Sequence, residues 1–222
     1  MKFQKYMAVG ILGLTMALGF SGCQSENQKN QNAYRKIGIN SMAEGDYDKA
    51  VKSFQKALDT SLGKIGAEEI DICYYKAAAQ FAKKDYDGAI ETYTSLIDYD
   101  KENANAYYLR GSVYLDTDKK DKAFKDYKNA VKYAGREYEI YEGIYENLTN
   151  KGETEEAKNY LKKALDIKPK DGADYAEQGH VYYLLEDYTQ AKSSLDRAID
   201  KDDKTALLYL AEVYNATDQQ EQ

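Results

Sequence analysis

Apolar and polar residues alternate along this chain in a helical rhythm that is itself repeated. Ala89, Ala123, Ala157 and Ala191 lie 34 residues apart, and each is followed four positions on by an aromatic or aliphatic residue and then by an apolar pair. The copies read Tyr93 with Leu96 and Ile97, Tyr127 with Ala130 and Val131, Leu161 with Ala164 and Leu165, and Leu195 with Ala198 and Ile199. Spacings of three and four keep such residues on one side of an α-helix, so each copy predicts an amphipathic helix. A further copy stands upstream at Ala50, Phe54, Ala57 and Leu58. There the step to Ala89 is 39 residues, and the five extra fall near Gly63 and Gly66, where a longer turn is expected.

A second helix precedes each of these. Sixteen residues before the period alanine stands an aromatic or small apolar residue, and twelve before it a glycine or alanine: Tyr34 and Gly38, Cys73 and Ala77, Tyr107 and Gly111, Tyr175 and Gly179. A small residue there lets two helices cross closely. The fourth copy has Tyr141 and then Tyr145, so its pair must open slightly or turn that ring outward. Between the helices lie turns rich in Gly and Asp, such as Gly45-Asp46 and Lys84-Asp85, which supply a φ > 0 position or an N-cap acceptor. Each repeat is thus a helical hairpin, and a fixed period of this length marks an all-α solenoid in which hairpins stack on their neighbours.

The template resembles the tetratricopeptide repeat (TPR), matched best by Tyr107, Gly111, Tyr114, Ala123 and Tyr127. Pro169, the one proline, stands where that family closes a repeat, while the family's leucine before the small position and its tryptophan are absent. The resemblance implies a right-handed solenoid of five hairpins, over residues 31–64, 70–103, 104–137, 138–171 and 172–203. Leu207, Leu210, Ala211 and Tyr214 follow helical spacing and predict a capping helix over 204–217 that covers the last hairpin.

The N-terminus changes the picture. Met7 to Phe20 is mostly apolar and uncharged, follows Lys2 and Lys5, and leads into Ser21-Gly22-Cys23. Such a stretch is short for the roughly 30 Å core of a bilayer and suits a signal peptide over residues 1–22. Small residues directly before a cysteine are similar to the bacterial lipoprotein cleavage box. That resemblance implies acylation of Cys23, with palmitate among the expected lipids, and a lipid-anchored chain at the extracytoplasmic face of the cell membrane. Residues 23–32, which after Cys23 carry no apolar side chain up to Asn32, are expected to form a flexible tether reaching about 15 Å.

Removal of residues 1–22 deletes two lysines and no acid, leaving 29 basic against 38 acidic residues, a net charge of −9. This acidity argues against nucleic acid as a partner. With Cys23 acylated, Cys73 has no disulfide partner and is expected as a small buried hydrophobe. His180 is the only histidine, so no His-rich metal cluster or nucleophile–His pair is expected, no phosphate-binding glycine loop is present, and neither enzyme activity, a cofactor nor a metal is anticipated.

Recognition remains. In the TPR family the first helix of each hairpin lines the concave face. Carried onto this chain, that face holds Arg35, Ile39 and Met42; Tyr74, Ala78 and Phe81; Tyr108, Ser112 and Leu115; Glu142, Glu146 and Thr149, with Glu139 one turn earlier; and Ala176, His180 and Tyr183. The groove so drawn is apolar and aromatic with an acidic band. Like charges at helical spacing repel by a few tenths of a kcal/mol, so the glutamates point to a basic ligand. The expected function is an exported, lipid-anchored adaptor holding a protein or peptide at the membrane surface. Two alternatives stand beside it, an outer-membrane or pilus-assembly TPR lipoprotein and an accessory of a cell-wall enzyme that contacts peptidoglycan.

Overall fold

The structure, a computed structural model, describes residues 26–220 apart from 62 and 64. The expected signal peptide, Cys23 and the first residues of the expected tether lie outside the described residues. Among those described the chain is all-α, with eleven helices and no strand. They are α1 Glu26–Ala43, α2 Tyr47–Asp59, α3 Ala67–Ala82, α4 Tyr86–Tyr99, α5 Ala104–Asp116, α6 Lys120–Tyr133, α7 Tyr138–Asn150, α8 Thr154–Ala164, α9 Gly172–Leu184, α10 Tyr188–Ile199 and α11 Thr205–Gln220. None of these is long and apolar enough to cross a membrane. The chain divides into two compact units, one ending at Ala130 and the other beginning at Val131.

In the first unit α1 packs on α2, α2 on α3, α3 on α4 and α4 on α5; in the second, α7 packs on α8 and α9 on α10. All five period alanines, Ala50, Ala89, Ala123, Ala157 and Ala191, are fully buried. So are the residues four positions on, Phe54, Tyr93, Tyr127, Leu161 and Leu195. These larger side chains explain the small residue sixteen positions earlier. A Cβ on Gly38 would lie 2.5 Å from the Phe54 ring, one on Gly111 2.8 Å from Tyr127, and one on Gly179 2.6 Å from Leu195. The glycine of the first helix is thus the socket for the large side chain of the second.

Five inter-helix turns share one geometry. Gly45, Lys84, Asp118, Gly152 and Glu186, each five residues before a period alanine, have φ between +58° and +81°. The amide of each donates three residues back and the next amide donates five back, as in Lys84 N–H to Phe81 O (2.8 Å) and Asp85 N–H to Gln80 O (2.8 Å). This is the Schellman closure, which satisfies the last carbonyls of the first helix. Asp46, Asp85 and Asp187 then cap the second helix, accepting from the amides of Lys49, Gly88 and Gln190.

One polar pair sits inside the first unit. Arg110 on α5 donates through Nε to Asp126 Oδ2 (2.7 Å) and through Nη2 to Oδ1 (2.9 Å), while Nη1 donates to Thr94 Oγ1 (2.9 Å). The Asp126 side chain is 4% exposed and that of Arg110 15%.

Two expectations are corrected. The tether drawn over 23–32 is helical from Glu26 onward. Glutamine, glutamate and lysine form helices well without apolar neighbours. Gln31 is buried, and its amide donates to Glu69 Oε1 at 2.7 Å, so α1 is held by a polar contact that the hydrophobic pattern does not reveal. The last helix also turns a different face inward. Ala206 and Val213 are fully buried and Tyr209 and Leu210 pack with them, whereas Leu207 and Tyr214, expected to cover the last hairpin, are 55% and 46% exposed. Tyr209 and Val213 lie 34 residues after Tyr175 and Gly179, so α11 keeps the register of the first helix of a hairpin.

Candidate functional site

Several of the groove residues expected from sequence belong to the packing of the first unit. Tyr108 (7% exposed) and Leu115 (2%) are buried, with the Tyr108 ring 6.3 Å from that of Tyr127, which corrects their placement on an open groove. Ala78 and Ser112 are buried too, as is Ala176 in the second unit. Tyr74 and Phe81 are half-buried against the cluster around Tyr93, and the Tyr74 hydroxyl donates to Asn103 Oδ1 at 2.6 Å. Ile39 and Met42 pack beside Phe54. Arg35 is engaged by Asp71 (Nε to Oδ2, 2.7 Å) and lies over the Tyr75 ring. For Tyr108, Ile39 and Met42 the reason is that these positions pack against the second helix of their own hairpin, at Tyr127 and Phe54.

The second unit gathers a different group. Glu139, Glu142 and Glu146 follow one another along α7 at helical spacing, with Glu139 exposed and the other two half-buried. Across from them on α9, His180 Nδ1 lies 2.9 Å from Glu142 Oε1. Glu177, three residues before His180, joins the pair, so that donor atoms of Glu142, Glu177 and His180 all lie within 4.8 Å of one another. The imidazole stacks on Tyr209 of α11 (centroids 4.3 Å apart, planes 10°) and on Tyr183 (6.0 Å, 16°). Tyr145, whose ring the sequence left either outward or wedged, turns its hydroxyl toward Leu184 O at 3.5 Å.

The electrostatics follow from this crowding. Burial, then the charges of Glu142 and Glu139, push the Glu177 carboxyl from an ordinary 4.5 up to about 7, with His180 acting the other way. At His180, burial disfavours the cation, but the hydrogen bond to Glu142 and the charges of Glu142, Glu177 and Glu212 outweigh it and raise its pKa. Burial, with Glu177 and Glu142 nearby, raises the Tyr209 phenol strongly. Glu177, Tyr209 and Glu212 were not singled out by sequence. The signal for Glu177 was its place three residues before the only histidine, and for Tyr209 its 34-residue step from Tyr175.

A pH dependence results. Because the folded chain holds the Glu177 proton more tightly than the unfolded chain, ionisation disfavours the fold as pH rises from about 4.5 through about 7. The raised His180 acts in the same direction, its contribution present at low pH and lost as pH rises through its folded pKa. Glu177→Gln is therefore expected to stabilise the protein at pH 8, by about 2 kcal/mol, and to change little at pH 4.5. Thermal denaturation of both proteins across this range checks it, and a stabilisation independent of pH would refute the assignment.

Comparison with known proteins agrees with the architecture. Family models described as tetratricopeptide repeat match residues 104–136, 146–171 and 175–204, and 35–97, and one described as TPR repeat matches 77–118. The chain belongs to the tetratricopeptide repeat family. It is 21% identical over 217 residues to anaphase-promoting complex subunit 3 of Schizosaccharomyces pombe, covering 85% of this chain and 33% of that protein. It is 27% identical over 154 residues to human tetratricopeptide repeat protein 13, covering 64% of this chain and 17% of that one. The chain thus spans a third or less of these curated relatives. Among solved structures, PilF of Pseudomonas aeruginosa is 18% identical with a TM-score of 0.50, over 87% of this chain and 88% of that one. A thermophilic TPR protein of Thermus thermophilus is 17% identical with a TM-score of 0.49, over 83% and 98%. The fold is that of a TPR solenoid, a scaffold consistent with protein–protein interaction.

Proposed function

We propose that the chain is an exported adaptor, held through acylated Cys23 at the extracytoplasmic face of a membrane, that docks a basic segment of a partner protein on the acidic face of its second unit. The observation that carries this reading is the excess of carboxylate on that face, where Glu142, Glu177 and Glu212 act on the single histidine and Glu139 acts on Glu177. Glu139 and Glu212 are exposed and stand at the rim, placed to steer a cationic partner. The sequence Ser21-Gly22-Cys23 supports the anchor.

The test has two arms on the full-length chain. In a bacterial host the wild type should incorporate labelled palmitate and sediment with membranes, and Cys23→Ala should do neither. In solution, a lysine-rich peptide should bind more tightly than an acidic one of equal length, with an affinity that falls as salt rises from 50 to 300 mM. Glu139→Lys with Glu212→Lys should weaken it about tenfold, equivalent to about 1.4 kcal/mol. Equal labelling of the Cys23 variant overturns the anchor; equal binding of the two peptides overturns the basic partner.

A further inference from the structure

We propose that Glu142, Glu177 and His180 form a binding site for one divalent transition-metal ion of the zinc class. The inference goes beyond the adaptor reading and does not depend on it. It starts from spacing: Glu177 and His180 are three apart on α9, so both donors leave the same side of one helix, and Glu142 brings the third from α7. A Glu-x-x-His pair on one helix completed by a glutamate from another is a donor arrangement that helical proteins use to hold metal ions between helices.

The distances fit. Zinc bonds imidazole nitrogen and carboxylate oxygen at about 2.0–2.2 Å, so its ligand atoms stand about 3–4 Å apart. Here the three donor atoms lie within 4.8 Å of one another, with Glu142 and His180 already 2.9 Å apart. Small rotations of two glutamate side chains close the remainder. The imidazole is fixed by its stacking on Tyr209 and Tyr183, so the ligand with least freedom is held in place before metal arrives.

The chemistry selects the class of ion. Calcium takes six to eight oxygen ligands and magnesium keeps most of its waters, whereas a set of one imidazole and two carboxylates suits zinc and its first-row neighbours, with water in the open position. The side chains of His180 and Glu142 are 18% and 12% exposed, sheltered but reachable. The groups acting on Glu177 are the acids Glu142, Glu139 and Asp203 and the one base His180. A dication relieves that repulsion at its centre, leaving the outer Glu139 and Glu212 for a partner.

The experiment uses the full-length chain after treatment with chelator. Titration with zinc chloride should give saturable uptake of one ion per chain and a higher thermal midpoint. Cobalt(II) should give visible d–d bands without thiolate charge transfer, and these should persist in Cys73→Ala. Glu177→Gln and His180→Asn should each weaken zinc binding by at least about tenfold, whereas Glu139→Gln should leave it unchanged. Glu177→Gln is expected to fold at least as well as wild type, so a loss of uptake there is a loss of ligand. Absence of saturable uptake, uptake indifferent to both ligand variants, or a larger rise in midpoint with calcium or magnesium than with zinc overturns the site. Binding of the lysine-rich peptide is measured separately, so the adaptor reading stands or falls on other data.

Discussion

Replacement of Phe54 by alanine is expected to destabilise the first unit by about 3–5 kcal/mol. The ring is fully buried and fills the space left by Gly38 on α1, while stacking on Tyr75 at 5.6 Å between centroids. Its loss removes apolar transfer energy and leaves a void that two crossing helices cannot readily close. Gly38→Leu alone should also destabilise, because its Cβ would stand 2.5 Å from the Phe54 ring. The double variant should recover part of the loss, since the volume returns from the opposite helix, a non-additivity that urea denaturation detects. A loss below about 1 kcal/mol for Phe54→Ala would mean that this hairpin does not carry the packing described.

Arg110→Met is expected to cost a similar amount, about 3–5 kcal/mol, for a different reason. The guanidinium makes two short bonds to Asp126 and a third to Thr94, and lies near the rings of Tyr107 and Tyr114. Methionine fills much of the same space but leaves a carboxylate with a 4% exposed side chain and no counter-charge. The cost belongs to the stranded charge rather than to the pair, so Arg110→Met with Asp126→Leu should return to within about 1 kcal/mol of wild type. If the double variant were as unstable as the single one, the pair would contribute in its own right.

The hairpins were legible because their signal is local and repeated. The 34-residue step from Ala89 to Ala191, and the 39-residue step before it from Ala50, marked buried alanines, and Gly and Asp in the turns marked left-handed positions such as Gly45 and N-caps such as Asp46. What sequence did not resolve is which positions of the first helix stay open once the helices are packed. Tyr108 and Leu115 are apolar and periodic whether they face a ligand or a neighbour, and only packing decides. The start of α1 was missed because Gln31 is buried through an amide–carboxylate contact, not an apolar one. The grouping of Glu142, Glu177 and His180 does not show in a count of histidines; its signal is one glutamate three residues before the single histidine.

The recurrent turns have a consequence for resistance to proteolysis. A protease must draw several residues into extended form, and a hairpin turn whose amides are all committed to carbonyls three and five residues back offers no such strand. The connection from Thr60 to Gly66 differs from these turns: it carries the five residues that break the period, Ile65 is 57% exposed, and a Cβ on Gly63 would meet nothing within 4 Å. Limited digestion should therefore nick the chain there first and release a fragment beginning near α3. The insertion that interrupts the repeat is thus also its point of entry for degradation.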